Sequence, residues 1–393
     1  MYKVKTLNNI SQSCVGYLRE NGFEIGDGLE SPEVIFVRAL NILDYEFGPE
    51  LLCIARAGIG VNTISLARCA EKGIVVFNTP GGNANGVKEL FLFGLGMACR
   101  DIKGAMDWVD DFDTSTGDVS KVMEKIKAQF AGPEYMGKKI GVIGMGNVGR
   151  IVANACVNLG MDVYGYDPFL SVDAAWLISN QVTKVDSLSD LYDCDFLTLH
   201  CPLTDLTRDM IGADYLSHMK DGVRIINYAR QQVVNEEAMI AALESGKVAR
   251  YVTDFPTNNL IGLKNVVMTP HLGGTTHESE ENCAIMAARQ AVDYIKNGNI
   301  VNSVNFGKAV MSPSLHARLC IFHKNVPNVL AGLTSSISQR GINIENMVNA
   351  STKEYPIAYT MLELGSDPDE ELINAIQHQK HVVRVRAIPS KTV

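Results

Sequence analysis

A glycine-rich turn between a strand and a helix is the feature that most restricts the fold of this 393-residue chain. The run KKIGVIG, which begins at Lys138, predicts a buried strand, and a helix is predicted from Asn147. Between them lie Gly144, Gly146 and Gly149 in the spacing G-x-G-x-x-G. The first glycine allows a tight turn, the second lets a pyrophosphate reach the backbone, and the third allows close helix packing. The pattern predicts a dinucleotide site in a doubly wound α/β domain.

An acidic residue follows at the spacing that such a site requires. Asp167 comes 18 residues after Gly149, at the end of the predicted strand DVYGYD. Its carboxylate can accept hydrogen bonds from both ribose hydroxyls and would repel a 2′-phosphate. NAD is therefore the predicted cofactor, rather than NADP. Asn147 and Val148, inside the turn, complete the predicted contacts of this segment.

Two further blocks flank this unit. From residue 1 to about 100, β-rich runs alternate with amphipathic segments, which predicts a second doubly wound parallel sheet. A helix predicted over Glu278 to Asn297 leads the chain back to it, and GKAVMSPSLHA is interpreted as a linker. From Arg318 the order strand, helix, strand, strand, helix, strand matches a ferredoxin-like βαββαβ fold. The predicted domains are 1–100 with 285–306, 101–284 and 317–393.

Composition and charge exclude several classes of function. The longest apolar stretch, Leu90 to Cys99, has ten residues, whereas a helix across a bilayer needs about 20. The N-terminus lacks the basic start and apolar run of a secretory signal, so a cytoplasmic protein is predicted. Nine cysteines without a C-x-x-C pair argue against a disulfide framework or a metal site. A net charge of −9 without basic runs gives no footprint for nucleic acid.

Four separated motifs carry a family resemblance. They are HCPLTDLTRDMI from His200, INYARQQVVNEEAMIAAL from Ile225, VTDF from Val252 and TPHLGGTTHESE from Thr269. In this order they resemble the D-isomer-specific 2-hydroxyacid dehydrogenase family, and the resemblance covers residues 1 to about 306. Oxidation of a 2-hydroxy acid requires a base for the hydroxyl proton, a cation for the carboxylate and a fixed nicotinamide to take the hydride.

The resemblance assigns a role to residues within these motifs. His271 fits the base, and Arg230 is assigned to the substrate's carboxylate and carbonyl, which a planar bidentate guanidinium suits better than lysine does. Asp254 corresponds to the family's aspartate near the nicotinamide. The further cofactor contacts that the resemblance implies are His200, Cys201, Pro202, Thr207, Ala229, Gly273 and Gly274.

One position departs from the family pattern. The family places a glutamate a few residues beyond the aspartate, to pair with the catalytic histidine, whereas this chain reads DFPTNN from Asp254. Our hypothesis is that Asn258 or Asn259 orients His271, although an amide cannot stabilise an imidazolium as a carboxylate does. Oxidation is then predicted to persist to lower pH than in a relative with the glutamate. In the pH profile of activity, conversion of either asparagine to glutamate is predicted to move the limb that depends on the histidine to higher pH.

Two other motifs indicate a branch of the family. RAGIGVN from Arg56 and FNTPGGNANGVKEL from Phe77 resemble the substrate-domain motifs of phosphoglycerate dehydrogenases. The resemblance implies oxidation of 3-phosphoglycerate, the first step toward L-serine, by a homodimer or homotetramer. A phosphate needs local positive charge in an acidic protein. The implied substrate contacts are Arg56, Ala57, Gly58 and Asn83, and Arg38 is a further candidate for the phosphate.

Two other functions stay open at this point. One is oxidation or reduction of a different 2-hydroxy acid, as in a hydroxypyruvate or glycerate enzyme. The other is a co-repressor of the same fold, which binds NAD and protein partners without turnover. Retention of Arg230 and His271 argues against the co-repressor.

The C-terminal segment resembles the serine-binding ACT domains. The resemblance rests on HKNVPNVL from His323 and GINIENM from Gly341. It places His323, Asn325 and Asn343 where the amino acid is hydrogen-bonded, and so implies L-serine as an effector. Asn328 stands where these domains commonly have glycine, and a side chain there could crowd the ligand.

Overall fold

The computed structural model describes residues 1–7 and 10–391. The chain divides into a first unit, Met1–Gly82 with Glu280–Val393, and a second unit, Asn83–Ser279. The described residues form a five-stranded, a seven-stranded and a four-stranded sheet. The predicted fold class, two doubly wound parallel sheets followed by a βαββαβ domain, is confirmed.

The first unit opens with the five-stranded parallel sheet. Its elements are β1 (Tyr2–Thr6), α1 (Gln12–Glu20), β2 (Phe23–Gly26), β3 (Val34–Val37), β4 (Cys53–Arg56), α2 (Leu66–Glu71) and β5 (Val75–Phe77). The strand order is β2-β1-β3-β4-β5. Every residue of β3 and β5 is buried, as expected of parallel strands that are covered on both faces.

The second unit holds the seven-stranded parallel sheet. Its elements are α3 (Ala84–Cys99), α4 (Ile102–Asp110), α5 (Val119–Ile126), β6 (Lys139–Ile143), α6 (Gly149–Asn158), β7 (Asp162–Tyr166), α7 (Val172–Ala175), β8 (Thr183–Lys184), β9 (Phe196–Leu199), α8 (Ala213–His218), β10 (Val223–Asn227), α9 (Glu236–Glu244), β11 (Val248–Thr253) and β12 (Val266–Met268). The order β12-β11-β10-β9-β6-β7-β8 reverses between β6 and β9. Sheets of this kind bind ligands beyond the carboxyl ends of the strands, at the point of reversal.

The unit boundaries differ from the predicted ones at both ends. Helix α3 was predicted to belong to the first block, which was to end at residue 100, but the structure places it in the second unit. The reason is packing, because Phe91 and Leu95 of α3 are buried in one cluster with Val142 and Ile226 of the large sheet. The other boundary falls within α10 (His277–Asn297), after Ser279 rather than after residue 284.

The C-terminal sheet is antiparallel and belongs to the first unit. Its elements are β13 (Ala317–Lys324), α11 (Val329–Gln339), β14 (Ile344–Ser351), β15 (Ile357–Leu364), α12 (Glu370–Gln377) and β16 (Val382–Ile388), in the strand order β14-β15-β13-β16. Alternate side chains of a strand point to opposite faces. Leu319 and Ile321 of β13 pack with α11 and α12, whereas Cys320 and Phe322 join the core around α10. The domain therefore shares a core with the first sheet.

The segment GKAVMSPSLHA, which was interpreted as a linker, is packed at its N-terminal half. Ala309 pairs with Ile300 through two backbone hydrogen bonds of 2.7 and 2.9 Å. Ala309 and Met311 are buried in the same cluster as α10. The connection is therefore part of the core of the first unit. In the described part of the chain, no helix combines the length and the apolar composition needed to span a membrane.

Asn328 adopts the left-handed conformation that glycine favours. Its φ and ψ are 69° and −6°, at the N-cap of α11. Asparagine tolerates this region better than other non-glycine residues. We expect Asn328→Ala to lower the free energy of unfolding by about 1 kcal/mol, because alanine keeps the Cβ, which costs roughly 1–2 kcal/mol in this region, but lacks the short polar side chain with which asparagine tolerates it. Asn328→Gly, which removes the Cβ, should cause no such loss. Urea unfolding of the whole chain measures both, and equal midpoints for the two variants would contradict this account.

Candidate active site

The predicted catalytic and cofactor residues of the second unit share one edge of its sheet. The strands are parallel, so their carboxyl ends meet at that edge. The residues that directly follow these ends, or lie one or two positions beyond, are Gly144, Asp167, His200, Ala229, Arg230, Asp254 and Thr269. Motifs that are far apart in the sequence therefore converge on one site.

The three glycines of the turn after β6 have three different surroundings. Gly144 has a φ of +88°, and a Cβ there would lie 2.7 Å from the backbone nitrogen of Cys201. A Cβ on Gly149 would lie 1.8 Å from the carbonyl oxygen of Gly144. A Cβ on Gly146, in contrast, would meet no atom within 4 Å. The open space thus lies at the second glycine, where a pyrophosphate would approach the backbone.

Asp167 is held in place by the backbone on either side of it. Its Oδ2 accepts a hydrogen bond from the N–H of Met145 at 2.9 Å, and its Oδ1 accepts one from the N–H of Phe169 at 2.9 Å. Beside it lies a cavity of about 480 Å³ with apolar walls that include Leu170 and Ile178. A fixed carboxylate for a ribose, apolar walls for a base and an open glycine for a pyrophosphate fit NAD.

His200 lies at the end of β9 and cannot serve as a titrating base near neutral pH. Its Nε2 is 2.9 Å from Oγ1 of Thr198, and its Nδ1 is buried without a hydrogen-bond partner among the described residues. Burial lowers the pKa of His200 to about 3, so the ring is neutral at physiological pH. In the loop that follows, Cys201 is buried, and the hydroxyl of Thr207 donates to the carbonyl of Pro202 at 2.6 Å.

A buried asparagine organises the turn that carries Arg230. Asn227 is fully buried at the end of β10, and its Oδ1 accepts a hydrogen bond from the N–H of Ala229 at 3.1 Å. Its Nδ2 donates to the carbonyl of Arg230 at 2.9 Å and to the hydroxyl of Tyr251 at 3.3 Å. The guanidinium of Arg230 is exposed, and its Nη1 donates to the carbonyl of Ala229 at 2.7 Å. The backbone is thus fixed, and the guanidinium retains donors for a carboxylate.

Asp254 anchors the loop that carries His271. It is 3% exposed, and its Oδ1 accepts hydrogen bonds from the hydroxyl of Thr269 at 2.6 Å and the N–H of Leu272 at 2.7 Å. Its Oδ2 accepts one from the N–H of Gly273 at 2.8 Å. All of these side-chain contacts go to the histidine loop. In this chain Asp254 therefore positions the candidate base.

His271 occupies a strained backbone conformation at the candidate site. Its φ is +59°, a value that is uncommon for a residue other than glycine. Its N–H donates to the carbonyls of Asp254 and Thr269, both at 3.0 Å. The ring is exposed and stands edge-on to Phe255, with centroids 5.2 Å apart. Such strain persists only where surrounding contacts hold it, as Asp254 does here.

The two asparagines that replace the family's glutamate lie in different surroundings. Asn258 is exposed and makes no side-chain hydrogen bond to a described residue, whereas Nδ2 of Asn259 donates to Oε1 of Glu236 at 2.7 Å. Neither amide bonds to the ring of His271 among the described residues. The hypothesis that one of them orients this ring stays a prediction.

In the first unit, Arg56 is the last residue of β4, and Arg38 follows the neighbouring parallel strand β3. The guanidinium of Arg56 folds over Gly58, where a Cβ would lie 2.5 Å from its Nη1. Its Nε is buried without a partner among the described residues, and burial lowers the pKa of Arg56. Arg38 forms an ion pair with Glu280. Ala57 continues the sheet by donating its N–H to the carbonyl of Val37 at 2.9 Å.

Asn83 lies in the second unit, at the N-cap of α3. Its Oδ1 is buried and has no hydrogen-bond partner among the described residues. Its Nδ2 lies 2.7 Å from where a Cβ on Gly274 would be, so only glycine fits at 274 without displacing this amide. An unpaired buried amide oxygen beside the histidine loop is consistent with a ligand contact.

Comparisons with known proteins identify the family of this chain. The NAD-binding domain of the D-isomer-specific 2-hydroxyacid dehydrogenases matches residues 97–273. D-3-phosphoglycerate dehydrogenase of Escherichia coli K12 is 31% identical over 353 residues, 86% of this chain and 82% of that protein. This chain belongs to the D-isomer-specific 2-hydroxyacid dehydrogenase family. Its cofactor is NAD, and the predicted resemblance is confirmed.

Other members differ in length or in substrate. D-3-phosphoglycerate dehydrogenase of Archaeoglobus fulgidus is 35% identical over 324 residues, which are 77% of this chain but only 59% of that protein. The NAD⁺-bound 3-phosphoglycerate dehydrogenase of Entamoeba histolytica has 26% identity and a TM-score of 0.57 over 77% of this chain and 98% of its own. D-mandelate dehydrogenase of Rhodotorula graminis, at 21% identity and a TM-score of 0.66 over 80% of this chain and 99% of its own, shares the fold.

The C-terminal residues that were predicted to bind serine do not all face the surface in this dehydrogenase. His323 is 1% exposed, with Nδ1 2.9 Å from the carbonyl of Lys324 and Nε2 2.7 Å from Oγ1 of Thr360. Asn325 and Asn343 are exposed, and Nδ2 of Asn343 donates to Glu345 at 2.9 Å. Both ring nitrogens of His323 are thus occupied by the protein itself.

Two polar residues that hydrogen-bond to segments of the candidate site, Asn227 and Glu236, were not predicted from the sequence. Asn227 follows the apolar pair Ile225 and Ile226, and a polar residue at the end of a buried strand was an available signal. Glu236 gave no comparable signal, because its partner Asn259 lies 23 residues away in the sequence. Within residues 1–7 and 10–391, no group of three or more His, Cys, Asp and Glu side chains is placed to hold a metal ion.

Proposed function

We propose that this dehydrogenase oxidises 3-phosphoglycerate to 3-phosphohydroxypyruvate with NAD, the first step toward L-serine. Relatives named for this activity match most of the chain, including 86% of it for the Escherichia coli protein. The structural observation that carries the proposal is Arg56, whose guanidinium has no carboxylate partner among the described residues and whose Nε is unpaired. A partly buried, unpaired guanidinium is suited to a phosphate.

The site residues divide the reaction among them. Arg230 binds the substrate's carboxylate and holds the oxygen at C2, which becomes a carbonyl. His271, with a neutral ring, takes the proton of the C2 hydroxyl. Asp254 holds the histidine loop through its three hydrogen bonds. Bound NAD supplies the acceptor for the hydride that leaves C2.

A panel of substrates tests the proposed reaction. Purified protein is assayed for NADH formation with 3-phosphoglycerate, glycerate, lactate and 2-hydroxyglutarate. We expect the highest kcat/KM with 3-phosphoglycerate. Preference for an unphosphorylated acid would assign the chain to another 2-hydroxy acid. Absence of turnover with all four would favour a role in NAD sensing.

The phosphate contact of Arg56 is tested by mutation. Arg56→Ala is expected to lower kcat/KM for 3-phosphoglycerate by about 10- to 150-fold, since a hydrogen bond to a charged group contributes roughly 1.5–3 kcal/mol. The KM for NAD should not change. The matched control is Arg38→Ala, for which a smaller loss is expected because Glu280 already neutralises Arg38. An equal loss with glycerate as substrate would rule out the phosphate role.

We further propose a cytoplasmic homodimer or homotetramer. All nine cysteines are unpaired and buried, which suits a reducing compartment. In the second unit, α4 and α5 expose apolar side chains, at 60% for Met106, 58% for Val109 and 44% for Met123. Apolar surface of this kind is typical of protein interfaces. Light scattering after size-exclusion chromatography gives the mass, and a monomer at micromolar concentration would exclude this assembly.

L-serine is the proposed effector of the C-terminal domain. The exposed amides of Asn325 and Asn343 support binding of a small polar amino acid, while His323 contributes to the shape of the domain from within. Calorimetry with millimolar L-serine, together with the activity assay, tests this. We expect binding heat that Asn343→Ala removes. No heat with the wild type would leave the domain with a structural role alone.

A further inference from the structure

Glu236 is a partly buried carboxylate that the reaction described above does not use. It is the first residue of α9, where a negative charge interacts favourably with the helix dipole. The cap residue Asn235 satisfies the helix by accepting a hydrogen bond from the N–H of Ala238 at 3.0 Å. Glu236 is therefore not needed as a cap. Its Oε2 is buried and has no partner among the described residues.

The other oxygen of Glu236 binds the segment that follows Asp254. Oε1 accepts a hydrogen bond from Nδ2 of Asn259 at 2.7 Å. A charged acceptor makes such a bond roughly twice as strong as a neutral one. The segment, Phe255–Leu260, is where the family carries its glutamate, and it contains no acid in this chain. The carboxylate that hydrogen-bonds to a side chain of this segment thus comes from α9.

The same segment contacts the candidate base. The ring of Phe255 stands edge-on to the ring of His271, with centroids 5.2 Å apart. Phe255, Leu260 and Glu236 line one cavity of about 200 Å³. The segment is fixed at its start by the N–H of Phe255, which donates to Oγ1 of Thr253 at 3.2 Å, and near its end by Asn259 and the buried Leu260. The bond to Glu236 therefore limits how far Phe255 can move from His271.

Glu236 also lies near the network behind Arg230. Tyr251 lines the same cavity, and its hydroxyl accepts from Nδ2 of Asn227, which also donates to the carbonyl of Arg230. Burial, together with the charge of Glu236, raises the pKa of Tyr251. The tyrosine thus stays a neutral hydroxyl within this network. The carboxylate of Glu236 therefore lies close both to the network that holds the turn of Arg230 and to the segment that contacts His271.

We propose that Glu236 is a positioning residue for His271. Glu236 acts through Asn259 and Phe255, and it takes the place of the family's glutamate. Glu236 holds the segment Phe255–Leu260 beside His271 and does not itself contact the reacting atoms. The inference deepens the proposed oxidation of a 2-hydroxy acid and rests on it.

Single and double variants test the connection. Glu236→Ala and Asn259→Ala are each expected to lower kcat by about 10-fold, the lower end for a lost hydrogen bond to a charged group, with KM for NAD unchanged. The double variant should lose no more than either single one, because both remove the same bond. The control is Glu237→Ala, the exposed neighbour on α9, which should stay within about 2-fold of the wild type, as expected away from specific contacts. Additive losses would overturn the proposal.

A swapped pair separates positioning from mere folding. In Glu236→Gln with Asn259→Asp the donor and the acceptor exchange sides, and the charged hydrogen bond is kept. We expect kcat to recover to within about 3-fold of the wild type, less than the loss of one such bond, even if Glu236→Ala alone folds poorly. No recovery in a folded swapped variant would overturn the proposal. A wild type without turnover would instead overturn the proposed function, and the positioning role with it.

Discussion

Replacement of His271 by alanine is expected to lower kcat for the 2-hydroxy acid by about 10²- to 10⁴-fold, the usual contribution of a general base. The KM for NAD should stay near the wild-type value, because the glycine turn and Asp167, which are predicted to hold the cofactor, follow β6 and β7. The variant should fold normally, and alanine removes only an exposed ring that packs on Phe255.

Two observations make this result specific. His277→Ala, at the exposed first residue of α10, is the matched control and should leave kcat unchanged. The other histidine at this edge of the sheet, His200, is not a competing base, since burial holds its pKa at about 3 and makes it a very weak base. A kcat for His271→Ala within about 10-fold of the wild type would show that another group is the base.

Replacement of Arg386 by alanine is expected to lower the free energy of unfolding by about 3–6 kcal/mol, the combined size of two hydrogen bonds from a charged group. Arg386 of β16 is partly buried, and its guanidinium donates to the carbonyls of Ile295 at 2.8 Å and Tyr294 at 2.7 Å. It also lies 4.7 Å from the ring centroid of Tyr294. These carbonyls belong to the last turn of α10, where helix carbonyls commonly lack intrahelical partners. The carbonyl of Tyr294 also accepts a hydrogen bond from the N–H of Gly298 at 2.9 Å.

Urea unfolding of the whole chain measures this loss. The control is Arg340→Ala, which removes exposed ion pairs with Asp369 and Glu371 and should change stability by less than about 1 kcal/mol. In activity assays at raised temperature, Arg386→Ala should also lose half of its activity at a lower temperature than the wild type. If both variants unfold at the same midpoint, the contact between the C-terminal sheet and α10 contributes little.

Local patterns predicted the parts of the fold and site that local chemistry determines. The turn from Gly144 to Gly149 and the strand-end Asp167 depend on spacing within about 25 residues, and the structure forms both as expected. The strand ends that carry Arg230 and Asp254 also follow from buried runs in the sequence. Parallel pairing then brings them to one edge, which is a rule of topology.

Long-range packing determined what the sequence could not predict. Helix α3 is apolar on enough of its surface to cover either parallel sheet, so its own pattern did not assign it to the second unit. His323 lies in β13, which is buried on both faces, so alternation could not show that its ring points to Thr360. The bond between Glu236 and Asn259 joins the first residue of α9 to a loop, and only the folded sheet brings the two together.

The shared core beneath β13 bears on how genes of this family can be recombined. Gly73 has a φ of +64°, and a Cβ there would lie 3.1 Å from the ring of Phe322, so the first sheet is shaped to fit its C-terminal neighbour. A chimaera joined at the apparent linker after residue 306 would combine the first sheet of one protein with the C-terminal sheet of another. The two surfaces would not fit each other, and apolar area would be exposed on both. Crossovers at 82/83 and 279/280 keep these surfaces together, so only such exchanges should yield chimaeras that fold.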